Sequence, residues 1–372
     1  MAWTPPNRPV TLPTHLAFEP VKVGVLIDLE FANMQIFLNA IRMAVDEAGA
    51  VRRLPREVEL VVKEATGLPR RGVHHAVRGW RELAADGCIL IIGPQVSDNG
   101  RVLRDVVEAE RVPSIAWVGT EAWGGEYCFT VQNGSQGEEA AIMAAYLARK
   151  NLRRIAVLHE FSPVGIEYHE NFRREARRAG LKTVADLEVS ALPEAMRAVL
   201  LEARATAPDA LVHLGFGYPV LAMAPLWQEL AWMPPRITTG AFQFHYANQT
   251  WREAYEGWIG IDQTSEENLR FMALQERYAA RFGDRPDHTV LALGYDTGVV
   301  AAEGIARAPV LSPAGVKTGL ERIRMLPAAT GGPRTFLSLR PYDHRALKGD
   351  WLLLRRIHNG QSVFESYHEP SG

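Results

Sequence analysis

From Val21 onward, short apolar runs of strand length alternate with longer stretches whose apolar residues recur at helical spacing. Val21–Ile27 (VKVGVLI) predicts a strand. Ala32–Gly49 predicts a helix through Met34, Phe37, Leu38, Ile41 and Val45, with Gly49 as its stop. The same alternation predicts strands at 58–63, 88–92 and 113–118 and helices at 70–86 and 99–110. It then restarts. Helices at 137–150, 164–179, 193–206 and 220–231 interleave with strands at 154–159, 181–189, 210–214 and 236–239. A strand at 257–262 precedes three helical stretches, 266–282, 288–306 and 313–324. At the end, 335–339 and 351–357 read as antiparallel strands joined by a turn around 342–349. Strand–helix alternation of this kind predicts an α/β fold of two doubly wound, Rossmann-like lobes.

A length of 372 residues fits two or three domains. The net charge of -2 and the absence of like-charge blocks argue against nucleic-acid binding. No run of ~18 apolar residues occurs, so no membrane insertion is expected. Two cysteines, Cys88 and Cys128, exclude a disulfide scaffold and a Cys-built zinc site. Residues 1–20 are Pro-rich, with no basic start and no apolar stretch of a secretory leader. They read as an irregular lead-in and predict a cytoplasmic protein. Export to the periplasm or cell surface is the alternative if the N-terminus was trimmed.

Enzyme motifs are missing. There is no P-loop and no nucleophile elbow. His74-His75 lack the spacing of H-E-x-x-H, and they read as a solvated helix face beside Arg70, Arg71 and Arg78. Gly215-Phe216-Gly217 resembles a dinucleotide turn, but Pro219 follows and no third glycine is in place. His159-Glu160 at a strand end is a plausible cleft pair without a nucleophile. No cofactor is implied, and the chain reads as a non-catalytic binder.

Several dispersed stretches, in order, carry a resemblance. They include VKVGVLIDLE at the first strand, GCILIIGPQVS at the third-strand turn, VPSIAWVGTEA after it and CFTVQNGSQGEEAA beyond that. RRIAVLHEFSPVGIEYHENFRREARRAG, YEGWIGI and RFGDRPDHTVLALGYDTGVVAAEGIA follow. The chain resembles the type I periplasmic binding proteins, in the branch of leucine/isoleucine/valine-binding and amide-binding proteins. That resemblance implies three crossings near Thr130–Asn133, Asp262–Ser265 and Gly331–Phe336. One lobe would comprise 21–130 plus 265–331, the other 131–264 plus 332–372. A small-molecule ligand would bind in the cleft and the lobes would close over it. Partners would be an ABC permease or, for a cytoplasmic sensor of the amide-binding type, a regulatory protein.

By the same resemblance, Ser97 and Thr120 fall where relatives hold a ligand carboxylate, with Gln95 in the same turn and Val118 offering backbone groups. A serine ahead of a helix equally serves as a cap. Phe242 stands where amino-acid binders carry the acid that pairs with the ligand ammonium, so an α-amino acid fits poorly. Val164 stands where a tyrosine is usual. Phe31, Trp117, Phe161, Phe216 and Gly217 complete the expected lining, beside Trp123, Tyr218 and Phe244, of which half or more belong to the core. The expected ligand is a hydrophobic or aromatic carboxylate.

Overall fold

The structure is a computed structural model that describes residues 19–30, 33–190 and 193–367. The first lobe opens with β1 (Val21–Ile27), α1 (Met34–Ala50), β2 (Val58–Glu64), α2 (His74–Ala85), β3 (Leu90–Ile92), α3 (Ser97–Glu110), β4 (Ser114–Ala116) and β5 (Cys128–Thr130). Its sheet is wholly parallel, in the order β2-β1-β3-β4-β5. β1 and β3 are buried on both faces apart from half-buried Lys22, as their predominantly apolar runs require.

The second lobe holds α4 (Gln136–Arg149), β6 (Arg154–Glu160), α5 (Pro163–Arg178), β7 (Lys182–Val189), α6 (Pro193–Ala205), β8 (Ala210–Leu214), α7 (Pro219–Met223), α8 (Leu226–Glu229), β9 (Arg236–Thr238), α9 (Gln249–Ala254) and β10 (Trp258–Asp262). The chain then returns to the first lobe with α10 (Leu269–Phe282), α11 (Thr289–Ala306) and α12 (Pro313–Leu320). α11 lies along α1 and is buried almost all round, which explains a sequence apolar on every face. Last come β11 (Leu326–Pro327), β12 (Phe336–Leu337), β13 (Leu347–Lys348), β14 (Leu353–His358) and β15 (Gln361–Tyr367).

The larger sheet runs β15-β14-β10-β9-β8-β6-β7, parallel except for its last two strands.

Three expectations change. The helix expected over 220–231 is two short helices, because Pro225 cannot donate to the ladder and interrupts it. The stretches 335–339 and 351–357 do not pair with each other. β12 pairs with β11 and β13 in a small sheet, whereas β14 joins β10 and forms a hairpin with β15. That hairpin turns at Asn359-Gly360, both at positive φ. A 3-10 turn over Gly240–Tyr246 and helix α9 also occupy a region with no expected element.

Three stretches linking the lobes lie side by side. Buried Gln263 donates through Nε2 to the Gln132 carbonyl at 2.9 Å and accepts the Gly134 N–H at 3.1 Å. Its carbonyl accepts the Gly331 N–H at 2.6 Å. One glutamine thus joins all three.

Candidate functional site

The C-terminal ends of the strands in both sheets enclose a cavity of about 120 Å3. An apolar hollow of ~150 Å3 accepts a benzene ring, so the space suits a compact molecule. Leu29, Gln95, Val96, Ser97, Asp98, Trp117 and Val290 line it from the first lobe. Gln136, Val164, Tyr168, Gly215, Phe216 and the 240–244 turn line it from the second, with Asn133 between. Strand ends of a parallel sheet are where such ligands sit.

The first-lobe wall is built around Asp28, fully buried at the end of β1. Its carboxylate accepts the Gln95 N–H at 2.6 Å, the Val96 N–H at 3.3 Å and Asn99 Nδ2 at 2.8 Å. Gln95 answers with its side chain, accepting the Asp28 N–H at 3.0 Å and donating to the Leu26 carbonyl at 2.8 Å. Burial pushes the Asp28 carboxyl up to about 6 against these donors. Gly93, at φ 127, lets the chain turn out of β3. A Cβ there would meet the Leu26 carbonyl oxygen at 3.0 Å. Sequence reasoning missed Asp28, although an acid closing an otherwise apolar strand was the available signal.

Ser97 does not cap α3. It is the first helical residue, and its Oγ accepts the Gly119 N–H and Gln136 Nε2, each at 3.3 Å. The second contact crosses between lobes.

On the second-lobe wall, fully buried Glu139 accepts the Ser135 N–H at 2.7 Å, the Gly240 N–H at 2.7 Å and the Tyr168 hydroxyl at 2.9 Å. Burial pushes its carboxyl up to about 7. Glu160 accepts the Gly217 N–H at 2.6 Å and lies 3.1 Å from His213 Nε2. The His159-Glu160 pair therefore faces two ways, since His159 reaches toward Asp186 instead.

Of the expected lining residues, Gln95, Ser97, Trp117, Val164 and Phe216 gather at the cavity. The amide of Gln95 is spent on β1. Others lie elsewhere. Thr120 Oγ1 donates to Glu167 at 2.7 Å and faces a different hollow. Val118 packs in the core between α3 and Trp123, where its carbonyl accepts from Thr130. Phe161 is 77% exposed. Gly217 serves Glu160, and its missing side chain clears the Tyr255 hydroxyl. Phe242 is fully buried against Gly260 and Tyr255, because the 3-10 turn aims it into the sheet and leaves Gln243 and Phe244 at the cavity. Phe31 lies outside the described residues.

Three polar atoms of lining residues are buried without a hydrogen-bond partner in the chain: Trp117 Nε1, Asp98 Oδ1 and Gln136 Oε1. Buried polar groups are ordinarily paired, so these point to a guest. Among the described residues, no lysine, arginine or histidine lines the cavity. Asp98 Oδ1 lies 3.9 Å from Arg101 Nε, beyond hydrogen-bond reach. Burial pushes this carboxyl up to about 6, against the pull of Arg101 and the Val164 N–H.

The lobes are latched beside the cavity. Glu167 on α5 accepts the Thr120 hydroxyl at 2.7 Å, the Glu121 N–H at 3.0 Å and Arg101 Nη2 of α3. Asn33 Nδ2 donates to the Tyr246 carbonyl at 3.1 Å on the other side.

Solved structures share this architecture. A type 1 periplasmic binding protein from Bordetella pertussis superposes with a TM-score of 0.78 at 19% identity, covering 94% of this chain and 100% of that one. A branched chain amino acid ABC transporter protein from Thermus thermophilus with bound valine gives 0.76 at 16%, covering 96% and 98%. A solute binding protein of an ABC transporter from R. palustris, in complex with benzoate, gives 0.74 at 14%, covering 94% and 96%. None of the curated proteins matches the chain. A family model described as periplasmic binding protein matches residues 20–359. Two parallel-sheet lobes, three adjoining connections and a cavity between the strand ends thus agree with the sequence match, and the chain belongs to the type I periplasmic binding protein family.

Proposed function

We propose that the chain reversibly captures a compact, largely apolar organic acid between its lobes, without chemical change, and presents it to an ABC-type permease. The observation that carries this reading is a largely apolar cavity whose wall holds one unpaired buried donor, Trp117 Nε1. The first turn of α3, with the Ser97 and Asp98 N–H groups, suits the carboxylate. Trp117 Nε1 adds a donor. Leu29, Val164, Phe216, Phe244 and Val290 suit the body of the ligand. Removing ~120 Å2 of ring surface from water contributes roughly 3 kcal/mol at ~25 cal/mol per Å2. The solved relative holding benzoate supports this class of guest.

Titration calorimetry with benzoate, phenylacetate, isovalerate, leucine and valine tests the reading. Saturable binding of one of the three simple acids is expected, with the amino acids weaker. Binding of leucine or valine alone would overturn it.

Asp98 favours a second reading, in which a ligand N–H or ammonium satisfies Oδ1. The two differ in sign. For a carboxylate guest, Asp98→Asn removes a like charge and tightens binding by ~10-fold at pH 7.5. Lowering the pH through about 6 protonates Asp98 and tightens binding in the parent protein, and the variant loses the share of that dependence that Asp98 supplies, leaving that of Asp28 and Glu139. For an ammonium guest both effects reverse. Calorimetry at pH 5.5 and 7.5 decides between them.

A further inference from the structure

Helix α5 serves the cavity through Val164 and Tyr168. The residue after Tyr168 belongs to a different cluster. His169 meets His159, near the end of β6, and Asp186, on the edge strand β7. His169 Nε2 lies 2.9 and 3.0 Å from the two Asp186 oxygens, and His159 Nε2 lies 3.6 Å from Oδ1. The two imidazole rings stack, with centroids 4.2 Å apart and planes 18° apart. One ligand atom from each of the three residues lies within 4.8 Å of the others.

The contact between His169 and Asp186 alone leaves part of this arrangement without a purpose. One imidazole suffices to bond the carboxylate, and His169 does so. His159 Nε2 is too far for a hydrogen bond, and its Nδ1 is buried with no partner. Two protonated rings stacked this closely would repel.

We propose that His159, His169 and Asp186 bind a divalent transition-metal ion of the zinc class, with open positions filled by water. Two imidazoles and one carboxylate from three different elements are a borderline donor set that suits Zn2+ better than Ca2+ or Mg2+. Donors at ~2.0–2.2 Å from such an ion stand ~3.3 Å apart, so side-chain rotation of about 1 Å closes the cluster and unstacks the rings. The rings are 18% and 19% exposed and the carboxylate 41%, so solvent reaches the open side. Glu188, opposite His159 in the β6–β7 register, stands within the same neighbourhood as a further oxygen donor. A bound ion would fasten the edge strand and α5 to the end of β6, next to Glu160 and Tyr168.

The test uses untagged full-length protein and the metal alone. Calorimetry with ZnCl2 should show one saturable equivalent. CoCl2 should give visible absorption of low-coordinate nitrogen and oxygen ligation. His159→Ala, His169→Gln and Asp186→Asn should each weaken affinity by at least ~10-fold and abolish the ZnCl2-dependent rise in melting temperature. His74→Ala/His75→Ala, on a distant helix, should change neither. Absence of saturable uptake overturns the proposal. So does equal uptake by a His159→Ala/His169→Ala double variant that melts like its parent, or loss of uptake in the His74/His75 variant alone.

Discussion

Replacing Glu167 by alanine should open the protein in solution. Glu167 receives a hydroxyl, a backbone N–H and a guanidinium from the opposite lobe. In the closed form the variant leaves these donors facing an empty space, whereas in the open form water serves them. Hydrogen bonds to a charged acceptor contribute ~1.5–3 kcal/mol, and removing one partner also exposes the desolvation cost of the others. Discounting for the partial exposure of Glu167, a shift of ~2–3 kcal/mol toward the open state is expected, or roughly 30–150-fold in the equilibrium. Small-angle scattering of the ligand-free variant should show a larger radius of gyration. Any ligand found by calorimetry should bind ~10–100-fold more weakly, because the competent state is rarer. Glu167→Gln, which retains one acceptor, should fall between. An unchanged scattering profile together with unchanged affinity would remove Glu167 from the closing mechanism.

The second large effect concerns Glu139. It lies on the second-lobe side of the cavity and joins three segments that must keep their places. Ser135 ends the first connection between lobes, Gly240 begins the 3-10 turn, and Tyr168 belongs to α5. Alanine would strand two backbone N–H groups and a hydroxyl that are largely withdrawn from solvent. The expected loss is about 3–5 kcal/mol. At ~2 °C per kcal/mol for a chain larger than a single small domain, the melting temperature should fall by roughly 5–10 °C. Calorimetric melting of the variant measures this. Glu139→Gln should lose less, since its amide oxygen still accepts. Ligand affinity should fall in both, because Gly240 and Tyr168 line the cavity. A melting temperature within 2 °C of the parent's, on the same scale of ~2 °C per kcal/mol, would show that the three donors find other partners.

The strand–helix alternation was legible because buried parallel strands need unbroken apolar runs. β3 has one, and β1, β6 and β8 come close, interrupted by Lys22 in β1 and His213 in β8 and with polar ends in β6. The C-terminal strands were misjoined because β14 is held by β10, about a hundred residues earlier, and no local pattern shows such a partner. The cavity was half visible. Ser97, Trp117, Val164 and Phe216 stand just past strand ends, where position alone suggests a cleft. Asp98, Gln136 and Tyr168 lie in the early turns of helices, where polar residues usually read as caps or solvated faces. Thr120 was misplaced for a different reason. Its partner Glu167 lies in the opposite lobe, and only the folded chain shows that the hydroxyl is taken. Phe242 matched an acidic position in register, but the 3-10 turn rotates it inward.

Gln263 holds the three connecting stretches in one knot through its side-chain amide and its own carbonyl. Strands tied this way can bend together but cannot slide past one another. On the proposed function, the jaws would share a pivot here, and the approach of the two rims would report in one coordinate whether the chamber is filled. A docking protein that touches both rims needs to sense only that separation to tell loaded from empty.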